Sequence, residues 1–159
     1  MVELMEQKYS SKNTSLNQIP KVMRMVDIFE GCVLLDYGCG GYNKTKQYVE
    51  ENGGIYYGYD PYWKSETENV QALACDPDIV ICANVLNVIM EDEIVEQIVA
   101  TLAKYNSTVM VQVYEGDKSG IGAPTTKGYQ RNAKAVEYQK LLEKYFDFVY
   151  KKGNIFICD

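Results

Sequence analysis

The stretch Val33-Leu34-Leu35-Asp36-Tyr37-Gly38-Cys39-Gly40-Gly41-Tyr42 constrains the fold of this chain more than any other. The apolar run at 32–35 has no polar face, which fits a strand covered on both sides, as in a parallel sheet. Gly38 and Gly40 follow at two-residue spacing. Without a Cβ they let the backbone turn sharply and come close to a ligand. Residues 43–52 then read as a helix whose first turn faces that loop. Strand, glycine turn and helix N-terminus together make a nucleotide-binding corner.

The neighbours of the glycines narrow the choice of nucleotide. A dinucleotide fingerprint needs a third glycine at position 43, where this chain has Asn43. That fingerprint has no use for Asp36, two residues before the first glycine. A carboxylate there can face the ammonium of a zwitterionic amino-acid ligand. A second short run, Ile55-Tyr56-Tyr57-Gly58-Tyr59-Asp60, also ends in an acid. At the end of a second parallel strand, such an acid accepts hydrogen bonds from ribose hydroxyls. Asp60 also precedes Pro61, and Asp-Pro opens turns; the two roles are compatible. Tyr62 or Trp63 can then wall an adenine ring, or Trp63 can simply cover the sheet edge.

Ile79-Val80-Ile81-Cys82-Ala83 is another fully buried strand, and Asn84 falls at its C-terminal end, where open parallel sheets bind ligands. Asn84 and Asn87 can equally be turn and cap residues. Glu91, Asp92 and Glu93 suit a helix N-terminus, with Ile94, Val95, Ile98, Val99 and Leu102 as its apolar stripe. A strand is predicted over 108–114 and a long loop over 115–128. A helix is then expected to open at Tyr129-Gln130-Arg131-Asn132, with Val136, Leu141 and Tyr145 on one face. Segments 146–150 and 154–158 read as an antiparallel hairpin around Lys151-Lys152-Gly153. Between 61 and 78 there is room for one helix and at most a reduced third strand near 73–76. Upstream, Ile19, Val22, Met23, Val26 and Phe29 predict an amphipathic helix, with Pro20 in its first turn and Gly31 as its stop. The loop before it reads either as a tail or as a lid that brings Lys12 and Asn13 near a cofactor carboxylate.

Composition bounds the chemistry. A chain of 159 residues is expected to form one domain, residues 1–159, with 1–31 as a loop and helix leading into the first strand. No apolar stretch approaches the ~18 residues of a membrane span. The acids near the N-terminus do not fit a signal peptide, so a cytoplasmic location is expected. The chain has no histidine. That removes Ser-His and Cys-His nucleophile pairs and the usual zinc sets, leaving a cofactor, carboxylates, Lys and Tyr to do chemistry. Cys32 and Cys82 read as small buried hydrophobes. The net charge is −6, with eleven acids and only Lys64 as a base over 50–96, and eight bases against three acids over 118–152. The basic third is either a solvated face or a surface for an anionic substrate. The acidic balance argues against stand-alone binding of duplex DNA.

Asp36-Tyr37-Gly38-Cys39-Gly40, Gly58-Tyr59-Asp60-Pro61-Tyr62 and Asn84-Val85-Leu86-Asn87-Val88-Ile89 together resemble the class I S-adenosylmethionine-dependent methyltransferases. They are similar in particular to small phage and bacterial methyltransferase-like proteins, including a group associated with DNA phosphorothioation. The likeness covers roughly residues 10–158. It implies an α/β, doubly wound Rossmann-like sheet, mostly parallel, with one antiparallel strand near the C-terminus and a third strand that is reduced here. It implies S-adenosylmethionine as cofactor, with Asp36, Gly38 and Gly40 at the methionine end, Asp60 at the ribose and Asn84 at the reaction centre; Pro61 and Tyr62 beside the ribose acid, and Lys12 where the N-terminal loop is a lid, are the further cofactor-binding candidates. Asn84 and the 115–131 loop, with Tyr129 and Arg131, would orient the acceptor, a small molecule or a group presented by a partner protein. DNA amino-methyltransferases resemble one another in an Asp/Asn/Ser-Pro-Pro-aromatic motif, and Asn84-Val85-Leu86-Asn87 lacks its prolines. Cytosine-C5 enzymes need Pro-Cys, and the nearest string is the reversed Cys75-Asp76-Pro77, so the alternative of nucleic-acid methylation depends on a partner protein. Two other classes stay open: a cofactor-binding protein without turnover, and a nucleotide-dependent oxidoreductase, which Asn43 opposes.

Overall fold

A computed structural model of the chain describes residues 6–159. Residues 1–5, part of the irregular N-terminal stretch expected from the sequence, lie outside the described residues. Four strands rich in Val, Ile, Leu and Tyr form the parallel part of the sheet: β1 (Val33–Tyr37), β2 (Ile55–Tyr59), β3 (Ile79–Ala83) and β4 (Thr108–Gln112). A closing hairpin, β7 (Val149–Lys152) and β8 (Ile155–Cys158), follows a two-residue pair in the long loop, β5 (Ala123–Pro124) and β6 (Tyr129–Gln130). The six-stranded sheet runs β2-β1-β3-β4-β8-β7. Only β8 is antiparallel to its neighbours, β4 and β7. This is the expected α/β, doubly wound Rossmann-like sheet, mostly parallel with one antiparallel strand near the C-terminus.

The helices are α1 (Lys44–Glu51), α2 (Glu66–Ala74), α3 (Asp92–Leu102) and α4 (Val136–Tyr145). A capping box starts α2, because the Ser65 hydroxyl accepts the Glu68 N–H while the Glu68 carboxylate accepts the Ser65 N–H. Leu35, Val80, Val109 and Phe156 on one sheet face pack with Val95, Val99 and Leu142 from α3 and α4. Leu34, Ile81, Met110 and Ile155 on the other face pack with Val22, Met23 and Val49. Each central strand is therefore buried on both sides, which is why its sequence carries no polar stripe. Among the described residues, no helix is long and apolar enough to cross a membrane.

The third strand, expected near 73–76 to be reduced at most, does not form; α2 runs to Ala74 and the chain passes directly into β3, so β2 is one edge of the sheet. Two local expectations need correction. The N-terminal helix is only a short 3-10 segment, Lys21–Met25, after which Val26 is extended. Val22 and Met23 are buried, but Ile19 and Phe29 are exposed. Helical spacing marked which residues go inside without the chain remaining helical between them. The second correction lies at Tyr129-Gln130-Arg131-Asn132, where a helix was expected and β6 pairs instead with β5. The helix begins at Val136 and buries Tyr138 and Leu142, whereas Val136 and Tyr145 are exposed. Contacts of Tyr129 and Arg131 with distant parts of the chain override the local helical pattern there.

Candidate functional site

A cavity of about 1100 Å³ opens at the C-terminal ends of β1, β2 and β3. That is slightly above the range of roughly 300–1,000 Å³ usual for small-molecule sites. Asp36, Gly38, Gly40, Asp60, Pro61, Tyr62 and Asn84 all line it, so the three sequence stretches converge on one place. The parallel register explains the convergence, since Tyr37 pairs with Tyr59 and Asp36 with both Gly58 and Ile81.

The glycine turn is tightly held. Gly38 has φ +85° and Gly40 has φ +73°. A Cβ on Gly38 would lie 2.3 Å from Val85 Cγ2, and one on Gly40 would lie 2.1 Å from Ser15 Oγ. Both the backbone conformation and the space demand glycine. The N–H groups of Gly38 and Cys39 donate to the Tyr59 carbonyl oxygen at 2.7 and 3.0 Å.

Asp60 ties the turn to the end of β2. Its Oδ2 accepts the Gly40 N–H at 2.9 Å and its Oδ1 accepts the Tyr62 N–H at 2.9 Å. The Asp60 backbone is gripped by Asn69 of α2, whose Oδ1 accepts the Asp60 N–H and whose Nδ2 donates to the Asp60 carbonyl oxygen. A carboxylate oxygen can accept more than one donor, so Asp60 still has lone pairs to offer a ligand. Asp-Pro turn and ligand acid are thus one arrangement.

Asp36 is buried, and its Oδ2 accepts the Tyr56 hydroxyl at 2.7 Å. Its Oδ1 bonds no described residue. Burial pushes the Asp36 carboxyl up to about 6; the Tyr56 hydrogen bond opposes this rise and the Asp60 charge adds to it. A buried carboxyl with one unengaged oxygen and a raised pKa is suited to receive a cationic group.

Residues 6–20 fold across the cavity, with Gln7, Ser10, Ser11, Thr14, Ser15 and Gln18 facing it. Of the two readings of this segment, the lid describes its placement. Trp63 Nε1 donates to the Lys12 carbonyl oxygen at 2.9 Å, and Tyr62 Oη donates to Gln7 Oε1 at 3.1 Å. The Lys8 N–H donates to Glu91 Oε2 at 2.8 Å, and Tyr9 stacks on Tyr129 with ring centroids 5.4 Å apart. The Gly41 N–H donates to Ser15 Oγ at 3.0 Å, so the lid reaches the start of the helix that follows the turn.

The remaining predicted residues lie elsewhere. The Lys12 ammonium rests 5.1 Å from the Trp63 ring centroid and does not line the cavity. Tyr129 stacks under the lid and Arg131 pairs with Asp92, its Nη1 donating to the Ile89 carbonyl oxygen; neither lines the cavity. Ser15, Tyr56, Asn69 and Gln112 are parts of the site that sequence reasoning missed. No motif marks them, because each acts through a partner at least nine residues away.

No protein-family model and no curated protein sequence matches the chain. Solved structures do share its fold. Magnesium protoporphyrin IX methyltransferase from Synechocystis PCC 6803, solved with bound SAM, is 17% identical. It aligns with a TM-score of 0.55 over 86% of this chain and 73% of its own. A Listeria monocytogenes protein, named as a candidate S-adenosylmethionine-dependent methyltransferase, is 13% identical, with a TM-score of 0.52 over 87% of this chain and 93% of its own. At these identities the likeness establishes the class of fold.

Proposed function

We propose that this chain is an S-adenosylmethionine-dependent methyltransferase whose acceptor is a small molecule or a group presented by a partner. One observation carries the reading: around a single cavity, Asp36 offers an unengaged carboxylate oxygen and Asp60 stands beyond a glycine turn at the end of the next strand. The bound methyltransferase of shared fold supports it. The narrower likeness to small phage and bacterial proteins rests on the Gly-Tyr-Asp-Pro and Val-Leu-Asn-Val-Ile strings.

The residues present fit the cofactor. Asp36 would receive its ammonium, Asp60 its ribose hydroxyls, and Tyr62 would stand beside its base. When bound, S-adenosylmethionine supplies an activated methyl group, so the protein's task is to place a nucleophile in line and to exclude water. Residues of the lid and Asn84 line the same space.

Calorimetric titration with S-adenosylmethionine and S-adenosylhomocysteine tests this reading. Saturable binding, weakened by roughly 1–3 kcal/mol in Asp60→Ala, is expected. No binding by the wild type would overturn it, and binding without any methyl transfer would make the chain a regulatory cofactor-binding protein.

A further inference from the structure

Gln112 decides which end of the Asn84 amide faces the cavity. It ends β4, opposite Ala83, and is buried. Its Oε1 accepts the Val22 N–H at 2.8 Å. A backbone N–H can only donate, so the Gln112 amide has a single orientation and turns its Nε2 toward Asn84. There it donates to Asn84 Oδ1 at 3.4 Å; the reverse setting of Asn84 would oppose two NH₂ groups. The Asn84 backbone is held as well, with φ +59° and its N–H donating to the Gln112 carbonyl oxygen at 2.8 Å. With Oδ1 engaged, Nδ2 is the end of Asn84 that remains for a ligand, and it bonds no described residue.

Among the described residues, this donor has no base beside it. The charged ones around the cavity are Glu6, Asp36, Asp60, Lys64, Glu66 and Lys104. Asp36 lies opposite Ile81, three residues short of Asn84 on the neighbouring strand, or roughly 10 Å along the sheet. Asp60 is one strand further out, and its oxygens hold the Gly40 and Tyr62 N–H groups. An alkylamine arrives as an ammonium at neutral pH and must lose a proton before it can attack, an aromatic amine must shed one once it has attacked, and an alcohol needs a base to take its proton. A carboxylate already carries its lone pairs and accepts an N–H.

Resting on the methyltransferase reading, we propose that the acceptor is a carboxylate and the product its methyl ester. Asn84 Nδ2 donates to one carboxylate oxygen, and Gln112 is a positioning residue that fixes the direction of the Asn84 amide. The other carboxylate oxygen forms the new bond to the methyl carbon as the carbon–sulfur bond breaks. The electron pair stays on sulfur, and no proton is taken up or released. The lone pair of an acid is thereby methylated at a site that holds a donor and no base.

The test pairs acids with amines. Benzoate and octanoate, against benzylamine and octylamine, are titrated into protein saturated with S-adenosylhomocysteine. The same compounds are then offered with methyl-labelled S-adenosylmethionine, and the label is scored for release in mild alkali, as a methyl ester requires. The acids are expected to bind and to take base-labile label, and the amines to do neither. Asn84→Asp keeps the size and the left-handed backbone but presents an acceptor; it should reverse the binding preference by about tenfold or more. Gln112→Glu still accepts from Val22 but cannot donate to Asn84, and should lower kcat for the acids with cofactor affinity unchanged. Tighter binding of the amines, base-stable label, no binding of either acid, or an unchanged preference in Asn84→Asp would overturn the proposal and leave the methyltransferase reading standing. Failure of the wild type to bind S-adenosylhomocysteine would overturn both.

Discussion

The Trp63 indole N–H donates to the Lys12 carbonyl oxygen at 2.9 Å, and the Lys12 ammonium lies 5.1 Å from the same ring. Fifty-one residues separate the two in sequence. The single tryptophan of the chain therefore clasps the lid to the loop after β2. Trp63→Phe keeps the ring and removes the N–H, so the lid should loosen by about 0.5–1.5 kcal/mol. The expected result is faster cofactor dissociation in stopped-flow measurement. In the wild type, Trp63 fluorescence should report ligand entry directly, and a cofactor titration with no emission change would count against the clasp.

Asn69 is predicted to matter as much for binding as for folding. It holds both the N–H and the carbonyl oxygen of Asp60. Asn69→Ala removes both bonds, leaving the Asp60 side chain chemically intact but less well placed. A cofactor affinity loss of roughly 1–3 kcal/mol is expected. A variant that melts lower yet binds the cofactor as wild type does would show that Asp60 is positioned by its own carboxylate bonds alone.

Asp36 gives two pH dependences of opposite sign. Folded, its carboxyl is raised from 3.8 to about 6, chiefly by burial. Between those values the folded protein holds more protons than the unfolded chain, so Asp36's contribution to stability falls as pH rises through that window. Asp36→Asn, which can still accept the Tyr56 hydroxyl, should melt above the wild type near neutral pH, by an amount on the order of 1–3 kcal/mol. The gap should close below about pH 4. Cofactor affinity should run the other way, rising with pH through about 6 as the carboxylate forms, and Asp36→Asn should flatten that profile. Thermal melts and titrations across pH 4–8 check both.

Gly38 separates backbone strain from collision. Gly38→Ala meets both a φ of +85° and Val85 Cγ2 at 2.3 Å, whereas Gly31→Ala, at φ +80°, meets nothing within 4 Å. The Gly31 change should cost roughly 1–2 kcal/mol from backbone conformation alone. The Gly38 change should cost more, and pairing it with Val85→Ala should recover the excess in a double-mutant cycle. Equal costs at the two glycines would show that the turn can yield.

Much of this fold is legible in local sequence. Strands buried on both faces read as unbroken apolar runs, and the strand-turn-helix corner needs its glycines for reasons of backbone geometry. Asp36, Gly38, Gly40, Asp60, Pro61, Tyr62 and Asn84 meet around one cavity because parallel strands bring their C-terminal ends to one edge. The antiparallel last strand follows from a link too short to cross the sheet.

Other features were decided only when distant segments met. Apolar spacing at 19–29 identified Val22, Met23 and Val26 as interior, but spacing reports burial and does not require the helix to persist. Tyr129 and Arg131 lost their predicted helix to Tyr9 and Asp92, and with it any place in the cavity wall. Lys12 turned its charge onto Trp63. The direction of the Asn84 amide depends on Gln112 and, through it, on the N–H of Val22, ninety residues from Gln112 in the chain. The sequence by itself determined where backbone must bend and which residues must leave water, since those demands act on each residue alone. Which polar group faces which partner was determined by packing, because a hydrogen bond's direction exists only once both partners are in place.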